Sequence, residues 1–265
     1  MSTQSTSTFT SVYGPVSSWR YGRSLGIDPI GPISTCSFNC AYCQLGEIEH
    51  KTSDRVIYIP TEQILEDLQA YVPWDVDVIT LSGSGEPTLA LNLAEIITRI
   101  KELTHKPVVV LTNGTLLANT EVRAALSLAD IVSLKLDAVS PEQLRRVNRP
   151  VAEIKWADIW AGLEQFRAEF TGKLSIQTMI LSPWDADVQE QYISLMRTVA
   201  PSEIQLNTPT RPKPLKHELD GRENHSSADS RPYVVQKLKC VSAHVLQAFA
   251  NKIHNATGII VRCAP

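Results

Sequence analysis

No stretch of about 18 apolar residues occurs in the 265-residue sequence, so no membrane-spanning helix is expected. The N-terminal MSTQSTSTFTS lacks a basic region followed by an apolar run, so no secretory signal is expected either. Neither sign of charge is in marked excess: 25 Lys and Arg stand against 28 Asp and Glu, a net charge of −3. That excludes a generally basic nucleic-acid binder and leaves only local cationic patches. Cysteine is sparse, at five residues: Cys36, Cys40, Cys43, Cys240 and Cys263. An odd number with three members inside one short loop is a poor disulfide framework. The expectation is a cytoplasmic protein whose clustered thiols do metal or redox chemistry. What is present is ordinary for a globular chain: 43% hydrophobic and 20% charged residues exclude a wholly disordered, collagenous or coiled-coil protein. The length suits one large domain or two small ones.

Residues 1–11 are Ser/Thr-rich and read as a disordered tail. Residues 12–32 are punctuated by Gly14, Pro15, Gly22, Gly26, Pro29, Gly31 and Pro32, and read as irregular but packed through Val12, Tyr13, Trp19, Tyr21, Leu25 and Ile27. From residue 56 onward strand and helix signals alternate. Strands are expected at 76–82, 107–112, 131–136, 173–181 and 203–207, with a sixth just before Cys36. Helices are expected at 61–71, 92–103, 119–128, from Ser140-Pro141-Glu142 onward, and at 156–169 and 187–199. Such alternation gives a parallel sheet with right-handed crossovers. Six units are too few for an eightfold barrel. The expected fold is therefore α/β, a partial (β/α)6 barrel of parallel strands with an N-terminal extension and a C-terminal helix. One domain is expected over 12–208, and 209–265 reads as a long Pro-rich loop followed by helix 233–254 and a short strand-like end.

Four motifs carry chemistry. Cys36-Ser-Phe-Asn-Cys40-Ala-Tyr-Cys43 has the spacing C-x3-C-x2-C. Three thiolates on one loop can hold three corners of a cubic iron–sulfur cluster and leave one iron open, since a closed cluster takes four cysteines. A zinc site with a remote fourth ligand is the alternative on spacing alone. Ser82-Gly83-Ser84-Gly85-Glu86-Pro87-Thr88 ends a strand, where glycines let backbone approach a ligand and Glu86 can hold an ammonium group. Thr112-Asn113-Gly114 ends the next strand. In Ser133-Leu134-Lys135-Leu136-Asp137, alternation sets Ser133, Lys135 and Asp137 on one face. Polar groups on the inner face of a barrel bind a ligand or satisfy one another.

Together, in this order, these motifs resemble the radical S-adenosylmethionine (radical SAM) superfamily, over roughly residues 30–208. Ser84-Gly85-Glu86-Pro87 is similar to its Gly-Gly-Glu-Pro motif, with serine in place of the first glycine. The resemblance implies a 4Fe–4S cluster on Cys36, Cys40 and Cys43 and SAM on the open iron. It implies that Glu86 and backbone at Ser84 and Gly85 hold the SAM amino group. Asn113, Ser133 and Asp137 would line the ribose or carboxylate, and Tyr42 would lie near the adenine. It further implies reductive cleavage of SAM, hydrogen abstraction from a substrate, and an external electron donor such as flavodoxin or ferredoxin. Residues 13–30 and 205–212 resemble a subgroup related to the wyosine-type tRNA-modifying enzymes. Those carry further cysteines upstream for a second cluster, whereas Cys36 is the first cysteine here.

Three cationic groups stand out: Arg20 with Arg23 in the N-terminal segment; Arg145, Arg146 and Arg149; and Arg211, Lys213 and Lys216; the last two groups, near expected carboxyl strand ends, are candidates for binding an anionic metabolite or RNA. Modification of a protein or peptide is the competing substrate class. Cys240 and His244, spaced i, i+4 on the expected last helix, could join Cys263 in a second metal site, but free reduced cysteines are the plainer reading.

Overall fold

The computed structural model describes residues 9–223 and 231–265. Its strands are β1 (Val12–Ser18), β2 (Gly22–Ile27), the short β3 (Thr35–Cys36) and β4 (His50–Lys51), β5 (Val78–Leu81), β6 (Val108–Thr112), β7 (Ile131–Lys135), β8 (Lys173–Met179), β9 (Glu203–Asn207), the short β10 (Lys213–Pro214) and β11 (Val235–Gln236), and β12 (Ile260–Cys263). The main sheet runs β1-β2-β5-β6-β7-β8-β9-β12 and curls into a partial barrel. Every pair in it is parallel except the β1–β2 hairpin at one edge.

The connections explain the parallel order. Helices α1 (Thr61–Gln69), α2 (Leu93–Thr104), α3 (Thr120–Leu126), α4 (Pro141–Val147), α5 (Trp156–Glu169) and α6 (Ala186–Val199) lie between successive strands, and α7 (Ala243–Thr257) precedes β12. Their buried faces follow helical spacing, as in Leu93, Ile96, Ile97 and Ile100 of α2 and Tyr192, Ile193, Met196 and Val199 of α6. These pack on outward-facing strand residues such as Val108, Val110, Val132 and Ile176 to form the core.

The sixth barrel strand is β2, not the segment just before Cys36; there only Thr35 and Cys36 pair, with His50 and Lys51. The glycines that made 12–32 look irregular serve the hairpin instead. Tyr13 pairs with Gly26, and a Cβ at Gly26 would lie 2.2 Å from the Tyr13 ring. The glycine is the slot in which the aromatic ring lies.

Two further expectations are corrected. Helix 233–254 begins only at Ala243, because Ser242 caps it by accepting the Val245 amide (3.3 Å), while Val235 and Gln236 pair with Lys213 and Pro214. The final GIIVRC segment forms β12 and adds a parallel strand beside β9. Of the expected N-terminal tail, residues 1–8 lie outside the described residues. Ser11, however, is tied down, its amide and hydroxyl donating to Asp67 at 2.7 and 2.6 Å. Among the described residues, no helix is long and apolar enough to cross a membrane.

The inner face of the barrel is polar. Ser24 and Thr80 share a hydrogen bond (2.7 Å), Gln177 donates to Ser133 (2.7 Å), and Lys173 pairs with Glu203 (2.8 Å). The two edges of the sheet approach one another across this interior. Arg262 of β12 donates to the carbonyls of Trp19 and Arg20 at the β1–β2 turn, and Gln205 donates to the Tyr21 hydroxyl (3.3 Å).

Candidate active site

A cavity of about 390 Å³ occupies the barrel interior, bounded by the cysteine loop on one side and the β1–β2 turn on the other. Its lining includes Cys36, Cys40 and Cys43, with Tyr42, Gly85, Glu86, Asn113, Ser133 and Lys135. Eight of the ten residues expected from sequence at the cluster and cofactor site line this cavity. The other two, Ser84 and Asp137, are buried in its wall.

The cysteine loop is bound on two sides. Asn39 and Ala41 donate their amides to the carbonyls of Asn148 (3.0 Å) and Val147 (2.8 Å) at the end of α4. On the other side, the Thr35 amide donates to the Ser84 carbonyl (3.0 Å), and the Glu86 amide donates to the Thr35 carbonyl (3.1 Å). This ladder explains Gly85. A Cβ there would lie 1.7 Å from the Thr35 carbonyl oxygen, so only glycine lets the strand-end turn lie against the entry to the cysteine loop. Gly85→Ala is expected to destabilise the protein by about 3 kcal/mol, the upper end for overpacking, because the obstacle is backbone. It should also lower iron uptake; urea denaturation and iron assay of the same preparation read both. The serine that replaces the motif's first glycine is accommodated because its hydroxyl donates to Asp28 (2.6 Å). Asp28 is fully buried, pairs with Arg222 (3.0 Å), and accepts the Ile30 and Gly31 amides.

Glu86 is buried, and burial pushes its carboxyl up from the ordinary value while four hydrogen bonds pull it back. Oε1 accepts the Thr88 amide (3.1 Å), the Thr88 hydroxyl (2.7 Å) and the Thr112 hydroxyl (2.6 Å). Oε2 accepts the Asn113 amide (2.7 Å). With two lone pairs per oxygen, Oε1 is filled and Oε2 retains one acceptor position, on a residue that lines the cavity. That is the chemistry an ammonium group requires.

Asp137 supports the opposite wall. It accepts the Met179 amide on Oδ1 (2.8 Å), and on Oδ2 the Asn148 side-chain amide (2.8 Å) and the Tyr42 hydroxyl. Its side chain is thereby committed to holding Tyr42 and Asn148. Lys135 lies over the Tyr42 ring, 4.9 Å from its centroid. Asn148 went unnoticed in the sequence, because a lone Asn at a helix end has no distinguishing signal.

The three thiols are free. Burial pushes all three up, Cys40 to about 12, with neighbouring acidic groups and one another's sulfurs adding to the effect at Cys36 and Cys40. Such crowding of thiolates is unfavourable without a cation to share. N–H groups point at the sulfurs: Phe38 amide to Cys36 (3.4 Å), Asn113 Nδ2 to Cys36 (3.6 Å) and Asn148 Nδ2 to Cys40 (3.5 Å). Hydrogen bonds to sulfur are a means by which proteins tune iron–sulfur clusters. Among the described residues, no three His, Cys, Asp or Glu side chains are placed to share one metal ion. The donor set fits a cluster with three cysteine ligands and an open corner: all sulfur, N–H supported, and facing a cavity with a carboxylate acceptor.

The other candidates separate cleanly. Arg20 and Arg211 line the cavity, whereas Arg23 pairs with exposed Asp75 (2.6 Å) and Arg145 with exposed Glu142 (3.0 Å). Lys213 is buried behind the cysteine loop, near Cys43, and Lys216 is exposed. Cys240 lies before α7 and donates to the Pro209 carbonyl (3.3 Å), so it does not share a helix face with His244.

A curled parallel sheet carrying a three-cysteine loop and a strand-end glutamate at one cavity defines the radical SAM class, and the profile of the Radical SAM superfamily matches residues 30–190. The chain belongs to that superfamily, and within it to the UPF0026 proteins. It is 59% identical over 258 residues to a UPF0026 protein of Synechocystis sp., covering 97% of both chains. It is 32% identical over 214 residues to a UPF0026 protein of Methanocaldococcus jannaschii, covering 78% of this chain and 66% of that one. In fold it is similar to Streptococcus suis SuiB bound to precursor peptide SuiA, with a TM-score of 0.64 at 13% identity. The similarity covers 91% of this chain and 48% of SuiB, so this chain spans about half of that protein.

Proposed function

We propose that the chain is a cytoplasmic enzyme holding a 4Fe–4S cluster on Cys36, Cys40 and Cys43, and binding SAM in the adjoining cavity. The observation that carries this reading is the open acceptor position of Glu86 Oε2 in the same cavity as the three cysteines. Glu86 would receive the SAM ammonium, beside the Gly85 backbone. Asn113, Ser133 and Tyr42 would contact the rest of the molecule, while Ser84 and Asp137 would hold the walls in place. A cluster held by Cys36, Cys40 and Cys43 would supply the electron for reductive cleavage of SAM bound beside it, and hydrogen abstraction from a substrate would follow. The protein's own residues orient SAM and exclude water. An external donor, flavodoxin or ferredoxin, would reduce the cluster. The substrate is an anionic metabolite or RNA, a reading supported by cations that face the cavity and not the outer surface.

Anaerobic reconstitution should load about four irons per chain, and dithionite with SAM should then release 5′-deoxyadenosine. A fully loaded protein that releases none would overturn the reading.

A further inference from the structure

Asn148 is a buried polar side chain beside the cysteine loop that the proposed SAM contacts do not use. It is 1% exposed and is not part of the cavity lining. Its backbone is held at the end of α4, where its amide donates to the Leu144 carbonyl (2.8 Å) and its carbonyl accepts the Asn39 amide (3.0 Å). The side chain has no part in those anchors. Its Nδ2 donates instead to Asp137 Oδ2 (2.8 Å) and to Cys40 Sγ (3.5 Å).

The neighbours fix the orientation of the amide. Turned over, its oxygen would face the Asp137 carboxylate and the Cys40 sulfur, acceptor against acceptor. In the orientation observed, Oδ1 is buried with no hydrogen-bond partner among the described residues. A buried acceptor left unsatisfied is uncommon in native proteins and costs stability. An apolar side chain of similar size would avoid that cost and leave Asp137 with the Met179 amide and the Tyr42 hydroxyl. What it would not supply is an N–H at the Cys40 sulfur. Burial, Cys43 and Asp137 push the Cys40 thiol up to about 12, and the hydrogen bond from Asn148 acts in the opposite direction, as does Lys135. An N–H donor binds its acceptor more strongly as the acceptor gains negative charge. At a sulfur that ligates iron, such a donor favours the reduced state, and hydrogen bonds to sulfur are among the determinants of cluster potential.

We infer that Asn148 is a positioning residue that acts through Cys40: held by Asp137, it donates its second N–H to the Cys40 sulfur and raises the reduction potential of a cluster bound there. The inference rests on the proposed radical SAM function and adds a determinant of how readily that site accepts an electron. The step concerned is the transfer of one electron from the reductant, which is oxidised, to the cluster, which is reduced.

The test is a redox titration, followed by electron paramagnetic resonance, of anaerobically reconstituted protein. Wild type is compared with Asn148→Leu, which keeps the bulk and removes both N–H groups, and with Asn148→Ala, which removes them without adding volume. Both variants should load about four irons per chain, because the backbone anchors of the loop remain. Their midpoint potentials should be more negative than that of wild type by about 59 mV, a tenfold change in a one-electron equilibrium. About tenfold is the order of one hydrogen bond to a charged acceptor. Binding of S-adenosylhomocysteine should be nearly unchanged, since Asp137 keeps its other two donors. An unshifted or more positive potential in the loaded variants would overturn the inference. Loss of the cluster or of the fold from both variants would overturn it too, because Asn148 would then serve assembly of the loop. Weakened S-adenosylhomocysteine binding at an unchanged potential would place its effect in the cavity wall, through Asp137. Assay of 5′-deoxyadenosine from the loaded wild type separates the two levels. Release of the nucleoside beside variants of unchanged potential refutes the role of Asn148 alone, whereas no release refutes the radical SAM reading, whatever the potentials of the variants.

Discussion

Cys40→Ala is expected to abolish cluster binding while leaving the barrel folded. The Cys40 sulfur faces the cavity and accepts a hydrogen bond from Asn148. The loop's backbone is held independently, by the amides of Asn39 and Ala41 on carbonyls at the end of α4. Removing one sulfur therefore removes a ligand without removing the loop's anchors. Loss of an outer partner of a metal site typically costs about 10–100-fold in affinity or activity. Loss of a ligand from a set of three should exceed that, so 5′-deoxyadenosine formation is expected to fall by more than about a hundredfold. Cys240→Ala is the matched control: Cys240 is exposed, lies outside the cavity lining, and among the described residues donates to the backbone carbonyls of Pro209 and Leu238. It should retain full iron content and activity. Iron assay and chromatography of the nucleoside read both variants, and circular dichroism checks the fold. Cys40→Ala protein that still released 5′-deoxyadenosine at the wild-type rate would remove the thiol loop from the chemistry.

The contrast between those two cysteines also shows what was legible in the sequence. Cys36, Cys40 and Cys43 lie so near one another in the chain that local spacing alone brings them together. The strands 78–81, 108–112, 131–135, 173–179 and 203–207 were legible for a similar reason: each is a short run containing β-branched residues between segments of helical spacing. What failed to show was whatever depends on a distant partner. The β1–β2 hairpin hid behind Gly26, because a glycine that makes room for Tyr13 thirteen positions earlier looks like any breaker. The last helix was read too long because the apolar spacing of Val234, Leu238 and Val241 continues that of α7, yet Val235 and Gln236 are recruited by β10 more than twenty positions earlier. At the site, Asp137 was recognised as a strand-end acid, but that its carboxylate is spent on Tyr42, Asn148 and Met179 follows only from the packing of α4 and β8 against β7. Likewise, five of the eight residues in the three cationic groups look equivalent to Arg20, Arg211 and Lys213 by composition. Burial is what separates them.

Glu86→Gln is expected to weaken SAM binding by about 10–100-fold, with only modest loss of stability. The wild-type carboxylate receives three donors on Oε1 and one on Oε2. A glutamine can keep the first three by placing its carbonyl oxygen at the Oε1 position. Its NH2 then faces the Asn113 amide, donor against donor, at a cost of about 1–3 kcal/mol for the unsatisfied group. The same NH2 occupies the open position that would receive the SAM ammonium, replacing an anionic acceptor by a donor. A hydrogen bond to a charged group contributes about 1.5–3 kcal/mol, and each 1.4 kcal/mol is about tenfold in affinity, which sets the predicted loss. Distortion of the strand-end turn predicts a different pattern from loss of the ammonium contact, and two ligands separate them. 5′-Methylthioadenosine carries the nucleoside and lacks the amino-acid part, so its binding should be nearly unchanged in Glu86→Gln. S-adenosylhomocysteine keeps the ammonium group and should weaken as SAM does. Equal weakening of all three ligands would mean that Glu86 acts by shaping the turn and not by holding the amino group. Unchanged affinity for all three would place SAM elsewhere in the cavity. The expected split, with the ammonium-bearing ligands weakened and the truncated nucleoside spared, ties the one open acceptor on Oε2 to the one cationic amine of the cofactor.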